Sequence, residues 1–156
     1  VTPAIDAARK AGIAFKIHSY RHDPSAKSYG EEVAAALGLD PERVFKTLIA
    51  TAEAPAQMAV AVIPIVKRLD LKALATVLAV KKMALAEETD AERATGYVIG
   101  GISPLGQRKR LPLVLDASAL AYATIYVSAG RRGLEIELAP VDLLKLSEGK
   151  TGAIVR

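Results

Sequence analysis

Apolar and polar positions alternate in short blocks along this chain, and the blocks predict short helices mixed with short strands. Thr2 ahead of Pro3 reads as an N-cap with proline in the first turn, and the helix it starts runs to about Lys10 before Gly12 closes it. Residues 13–20 then alternate as a strand, with Phe15 and Ile17 expected inward. Ser28 to Glu31 matches a capping box before Val33 and its neighbours, Gly38 ends that helix, and Asp40 with Pro41 starts one further turn. Strands follow at 44–50 and 57–63. In the second, Met58, Val60 and Val62 share one face while Ala59, Ala61 and Ile63 share the other, which suits packing on both sides. Asp70 caps a helix from Leu71 to about Ala79, a capping box at Thr89–Glu92 starts a short helix stopped by Gly96, and Pro140 opens a last amphipathic helix to about Leu146. Residues 81–85 and 113–115 predict short strands, Asp116 caps a turn, and 124–128 with 134–138 form a hairpin around 129–133. Residues 150–156 predict a strand or a tail. The order lacks the regular alternation of a doubly wound sheet. The expected fold is α/β in the broad sense and of α+β type: one domain over residues 1–156, with a mixed, barrel-like sheet flanked by helices.

One position breaks the apolar pattern. Lys46 lies inside the run from Val44 to Ala50, on the face of Val44, Leu48 and Ala50. A charge there is costly to desolvate unless it is paired or opens onto a cleft. Two readings stay open at this point: an edge lysine whose stem packs and whose head reaches water, or the cation of a site for an anionic or ester-bearing ligand. The chain continues to Gly100-Gly101-Ile102-Ser103-Pro104-Leu105-Gly106-Gln107, where paired glycines permit close backbone approach and Pro104 holds Ser103 extended. Such a loop can offer amide hydrogens to a carbonyl or phosphate oxygen, or it can be a plain tight turn. Its spacing is neither that of a Walker A loop nor that of a dinucleotide fingerprint.

Composition narrows the chemistry. The chain has 156 residues, no cysteine, 51% hydrophobic and 4% aromatic residues, so its core must be aliphatic. Disulfides, thiolate nucleophiles and cysteine metal sites are excluded, and a cytoplasmic setting fits. Nothing approaches the length of a membrane span, and the first residues lack the features of a signal peptide. The net charge of +4 arises after residue 60, at Lys67-Arg68, Lys81-Lys82, Arg108-Lys109-Arg110 and Arg131-Arg132, which points to a polyanion such as RNA. Ser103 has no recognisable base: His18 and His22 are the only histidines, and neither stands in a triad context. His18, His22 and Asp23 lack a second cluster that would complete a metal site, so neither metal nor cofactor is expected. Tyr20 and Tyr29 bracket the loop ahead of Lys46. Glu135 and Glu137 share one face of the late hairpin, by default a solvated one, although a carboxylate near Lys46 would suit a substrate ammonium.

Taken together, Phe45-Lys46-Thr47 and the segment from Thr95 to Gln107 resemble the YbaK family of small aminoacyl-tRNA deacylases, which is related to the editing domain inserted in bacterial prolyl-tRNA synthetases. Ile17-His18-Ser19-Tyr20, Leu69-Asp70-Leu71-Lys72 and Arg132-Gly133-Leu134-Glu135 extend the resemblance over nearly the whole chain, and it is strongest to the branch that clears cysteine from mischarged prolyl-tRNA. The resemblance implies the editing-domain fold and removal of an amino acid from the 3′ end of tRNA. It implies that Lys46 is the essential lysine, with Gly100 and Gly101 as amide donors to the ester carbonyl. Tyr20, Tyr29, Thr47, Ser103, Pro104 and Glu135 would form the substrate pocket. Tyr29 falls where the family often has phenylalanine, and Glu135 where it often has aspartate. A substrate thiol attacking its own carbonyl would make a protein nucleophile unnecessary. Arg108, Lys109, Arg110, Arg131 and Arg132 are candidates for acceptor-stem phosphates. The implied partners are aminoacyl-tRNA and a prolyl-tRNA synthetase lending tRNA specificity, with neither DNA nor membrane. The alternatives are a deacylase for alanine or serine, and a non-catalytic tRNA- or synthetase-binding module.

Overall fold

Apart from residues 26, 27 and 54 and the side chain of Tyr29, the computed structural model describes the whole of residues 1–156. The elements run α1 (Pro3–Ala11), β1 (Phe15–Ser19), α2 (Tyr29–Leu37), β2 (Phe45–Glu53), β3 (Ala56–Pro64), α3 (Leu71–Val77), β4 (Met83–Leu85), α4 (Glu88–Thr95), β5 (Leu113–Asp116), β6 (Ile125–Arg131), β7 (Leu134–Leu138), α5 (Pro140–Ser147) and β8 (Lys150–Gly152). Short 3₁₀ turns at Pro41–Arg43 and Ala117–Ala121 precede β2 and β6.

The strands form two sheets. One has the order β1-β7-β6 and is antiparallel; the other has the order β4-β2-β3-β5-β8, antiparallel at β4, β2 and β3 and parallel from β3 to β8. Among the described residues one parallel bridge, between Val44 and Tyr126, joins them in addition to the core packed between them. The mixed sheet expected from the sequence is therefore split in two and joined at one corner, and it does not close into a barrel.

The two faces of β3 explain the two main cores. Val60 and Val62 pack with Phe45, Ile49, Leu115 and Ile136, while Ala59, Ala61 and Ile63 pack with Ala50, Leu74 and Ala75. Alanines on that second face let α3 lie close, and the strand is buried from Ala59 to Pro64. A third, smaller cluster unites Val33 and Ala34 of α2 with Val44 and Tyr126 at the sheet junction.

Local signals mostly act as their chemistry requires. Thr2 Oγ1 accepts from the Ile5 amide and itself donates to Ala129 O, tying α1 to β6. Ser28, Asp40, Asp70 and Asp116 cap the turns they precede, and Gly12, Gly38 and Gly96 take the left-handed conformation at helix ends. Two expectations fail. The capping box at Thr89 does not form: α4 starts at Glu88 with Glu87 in the N-cap position, two residues earlier than a Thr89 cap requires, and Thr89 lies inside its first turn. Ile17 is 39% exposed, because β1 is the edge of the smaller sheet.

The loop after α4 is fastened to α1 at Gly106, whose φ is +65° and whose added Cβ would fall 2.4 Å from Pro3 O. Gly106→Ala combines positive-φ strain with a backbone clash. We expect a loss of about 2 kcal/mol or more in urea unfolding; a change under about 0.5 kcal/mol would contradict this packing.

Candidate active site

A cavity of about 350 Å³ opens where the two sheets meet. Its walls come from Val44 to Leu48 of β2, Ile65 after β3, Ile99 and Gly100 of the glycine loop, Ser128 of β6, Glu135 of β7, Tyr20 after β1, and Ser28, Gly30 and Val33 around the start of α2. Lys46, Thr47, Tyr20, Gly100 and Glu135 are thus brought together from positions up to 115 residues apart.

Lys46 is half-buried and has neither ion pair nor hydrogen bond among the described residues. Burial, and then the charge of Arg68, hold its ammonium below the usual lysine range. Glu135 is 4% exposed and likewise has no partner. Burial pushes its carboxyl up to about 8, so it is largely protonated at neutral pH. Thr47 Oγ1 is buried without a hydrogen-bond partner. A cation, a neutral carboxyl and an unsatisfied hydroxyl therefore line one small space, each with hydrogen-bonding capacity that the protein does not use.

The hairpin face carrying Glu135 is covered, contrary to the solvated default. Tyr126, opposite Glu137, packs under α2 in the third cluster. Glu137 accepts from His18 Nε2 at 2.9 Å and from Thr124 Oγ1 at 2.6 Å. Burial works to raise its carboxyl, but these donors outweigh it and the net shift is downward. His18 is thereby a structural partner.

The glycine loop divides its work. Gly100, with φ +93°, lines the cavity, and its N–H has no acceptor in the chain among the described residues. The Gly101 N–H donates to Val98 O at 2.9 Å, and a Cβ here would come 2.7 Å from Arg131 Cα. Gly101 thus serves close packing against β6, and its amide is already engaged. Ser103 is fully buried; its Oγ accepts from the Leu105 amide and its carbonyl from Gln107 Nε2. Pro104 faces a separate hollow together with Lys109. The side chain of Tyr29 lies outside the described residues.

The basic groups expected at phosphates are not among the residues that wall this cavity. Arg110 pairs with Glu148 at 3.1 Å, and Arg108 lies over Gly96 and donates to Arg93 O. Arg131 is exposed, while Arg132 turns inward to Glu32 at 3.8 Å. Glu32 was not foreseen. It is buried and accepts from His22 Nδ1 at 3.0 Å and the Asp23 amide at 2.8 Å, tying the loop after Tyr20 to α2 and the hairpin turn. Burial opposes its ionisation, yet these donors hold its carboxyl below the usual range. Among the described residues no three His, Cys, Asp or Glu side chains converge as a metal site, and no helix is long and apolar enough to cross a membrane.

The family model described as the aminoacyl-tRNA editing domain matches residues 23–146. A protein of Enterococcus faecalis, EbsC, named as a candidate Cys-tRNA(Pro)/Cys-tRNA(Cys) deacylase, is 44% identical over 124 residues, covering 80% of this chain and 75% of that protein. A crystal structure of a hypothetical protein superposes with a TM-score of 0.87 at 23% identity over 99% of both chains. That of a candidate trans-editing enzyme for prolyl-tRNA synthetase superposes with a TM-score of 0.84 at 22% identity, over 99% of this chain and 95% of that one. Both structures share the fold described above.

The unpaired carboxyl makes stability depend on pH. Unfolded, Glu135 ionises near its ordinary value of 4.5; folded, it holds its proton to about 8. The folded state binds more protons between these values, so stability falls as pH rises through that window and levels off above it. Glu135→Gln removes this component. We expect the variant's Tm to gain on the wild type steadily from pH 5 to 8; parallel Tm profiles would show that Glu135 titrates normally.

Proposed function

This chain belongs to the aminoacyl-tRNA editing domain family, and we propose that it works, as one domain in the cytoplasm, as a deacylase that frees tRNA(Pro) from mistakenly attached cysteine. The observation that carries this reading is the pair Lys46 and Glu135, both without a partner among the described residues and both lining the cavity with Gly100. The 44% identity to a protein named for cysteinyl-tRNA substrates supports the choice of amino acid.

The substrate is an ester between a tRNA ribose hydroxyl and an amino acid. It needs positioning more than activation. Lys46 attracts the oxygens of the terminal nucleotide. The Gly100 N–H and Thr47 hydroxyl point donors at the carbonyl oxygen as it gains charge. Glu135 receives the substrate ammonium, and that cation favours the ionised carboxylate over the neutral acid of the empty site. The cysteine thiol then attacks its own carbonyl. A sulfur–carbon bond forms, the ester carbon–oxygen bond breaks, the thiol proton passes to the ribose oxygen, and a cyclic thioester leaves. The protein supplies no nucleophile, in keeping with a chain that has no cysteine and a Ser103 locked in its turn.

This chemistry selects by reactivity. Size alone separates side chains differing by one small group by only about 1–3 kcal/mol. Incubation with tRNA(Pro) charged separately with cysteine, alanine, serine and proline should release cysteine at least about tenfold faster than the rest. Alanine release at a comparable rate would overturn the thiol mechanism in favour of water attack. Lys46→Ala should lower kcat/KM by roughly 100-fold or more with Tm unchanged; near-normal turnover by this variant would remove Lys46 from the site.

A further inference from the structure

The cavity accounts for the tip of an RNA substrate and leaves a second basic feature unused. A groove of about 750 Å³ runs between α3 and the edge strand β4, lined by Lys72, Lys81 and Lys82 over an apolar floor that includes Leu71 and Val80. Three lysines face one carboxylate, that of Glu53. The ion pairs among the described residues occupy His18, His22, Arg43, Arg93, Arg110 and Arg132, and none occupies these lysines.

Cavity and groove are both built on β2, the first on Phe45 to Leu48 and the second on Glu53. Lys46 projects from the same strand face as Leu48, Ala50 and Ala52, the face against which Leu74 and Ala75 of α3 pack. Ala52 pairs with Met83, which lines the groove. Six residues of strand separate Lys46 from Ala52, a distance of about 20 Å. Arg68 adds positive charge beside Lys46.

We propose that the Lys72–Lys81–Lys82 groove binds backbone phosphates of the tRNA acceptor arm, while the esterified 3′ end occupies the Lys46 cavity. The assignment rests on the deacylase reading. It moves the phosphate contacts away from Arg108 and Arg110, which the protein already engages. Phosphate contacts of this kind set register and carry no sequence information, which fits a site that selects by chemistry at the tip.

The test compares the triple variant Lys72→Glu, Lys81→Glu, Lys82→Glu with Arg108→Glu, Lys109→Glu, Arg110→Glu and the wild type. All three lysines are exposed and unpaired, so the fold should survive; Lys→Gln at the same positions gives a milder variant with half the charge change. Binding of uncharged tRNA is followed by fluorescence anisotropy across salt. KM is measured with aminoacyl-tRNA and with an aminoacylated trinucleotide. We expect the lysine variant to flatten the slope of log Kd against log salt by about 2–3 and to raise KM for aminoacyl-tRNA at least about tenfold, with KM for the trinucleotide unchanged. The arginine variant should change the slope by less than about 1. An unchanged slope and KM in the lysine variant, or equal loss on the trinucleotide, would overturn the groove assignment. If the wild type cleaves neither substrate, the deacylase reading fails, and the anisotropy slope still decides whether the groove holds RNA.

Discussion

The bridge between Val44 and Tyr126 is the joint on which this molecule depends. It is one residue long and would be weak as backbone pairing alone. A polar knot reinforces it. Arg43 donates to Thr124 O at 3.0 and 3.2 Å and to Thr124 Oγ1 at 2.6 Å, lies 5.1 Å over the Tyr126 ring, and stands 3.8 Å from Glu137. His18 packs edge-on against the same ring at 5.5 Å while donating to Glu137. Hydrogen bonds to charged groups contribute about 1.5–3 kcal/mol each, and removing one member would leave the others desolvated and unpaired. Lys46 stands three residues after Arg43 and two after Val44. Fixing the joint therefore fixes the lysine relative to Glu135, which sits two residues from Glu137 on the same face of β7.

The site shows the opposite economy. At the joint, every charge finds a partner. In the cavity, an ammonium, a carboxyl and a hydroxyl are left without one among the described residues. Such groups destabilise the fold, and only a scaffold rigid enough to hold them can keep them apart. Glu32 extends that scaffold, holding the loop after Tyr20 to the hairpin turn through His22 and Arg132. Unsatisfied capacity in the empty protein is what a zwitterionic, ester-bearing ligand can satisfy on binding.

Much of this was legible in the sequence because it rests on local physics. Glycines at 12, 38 and 96 end helices because they alone take the left-handed conformation without strain, and the two faces of residues 58–63 separate the cores because strand period is two. Lys46 stood out because a charge in an apolar run has few explanations. Other features depend on partners distant in sequence and were hidden. The alternation at 134–138 set Glu135 and Glu137 on a polar face but could not reveal that α2 and β2 cover it. Gly101 looked equivalent to Gly100 until the hydrogen bond to Val98 and the backbone of Arg131 separated their roles. Glu32 carries no local signal of its role because its donors come from the loop at 22–23 and the turn at 132.

On the proposed reading, the aminoacyl end of the substrate lies in the cavity with Lys46 and Glu135 as its first polar contacts. A crystal structure with 3′-cysteinylamino-adenosine, in which an amide replaces the labile ester, tests it directly. The ligand is expected between the two sheets, with the α-ammonium within hydrogen-bond distance of Glu135 and ribose or phosphate oxygens within reach of Lys46 Nζ. A ligand bound elsewhere with this cavity empty, or seated in it with its ammonium turned away from Glu135, would contradict it.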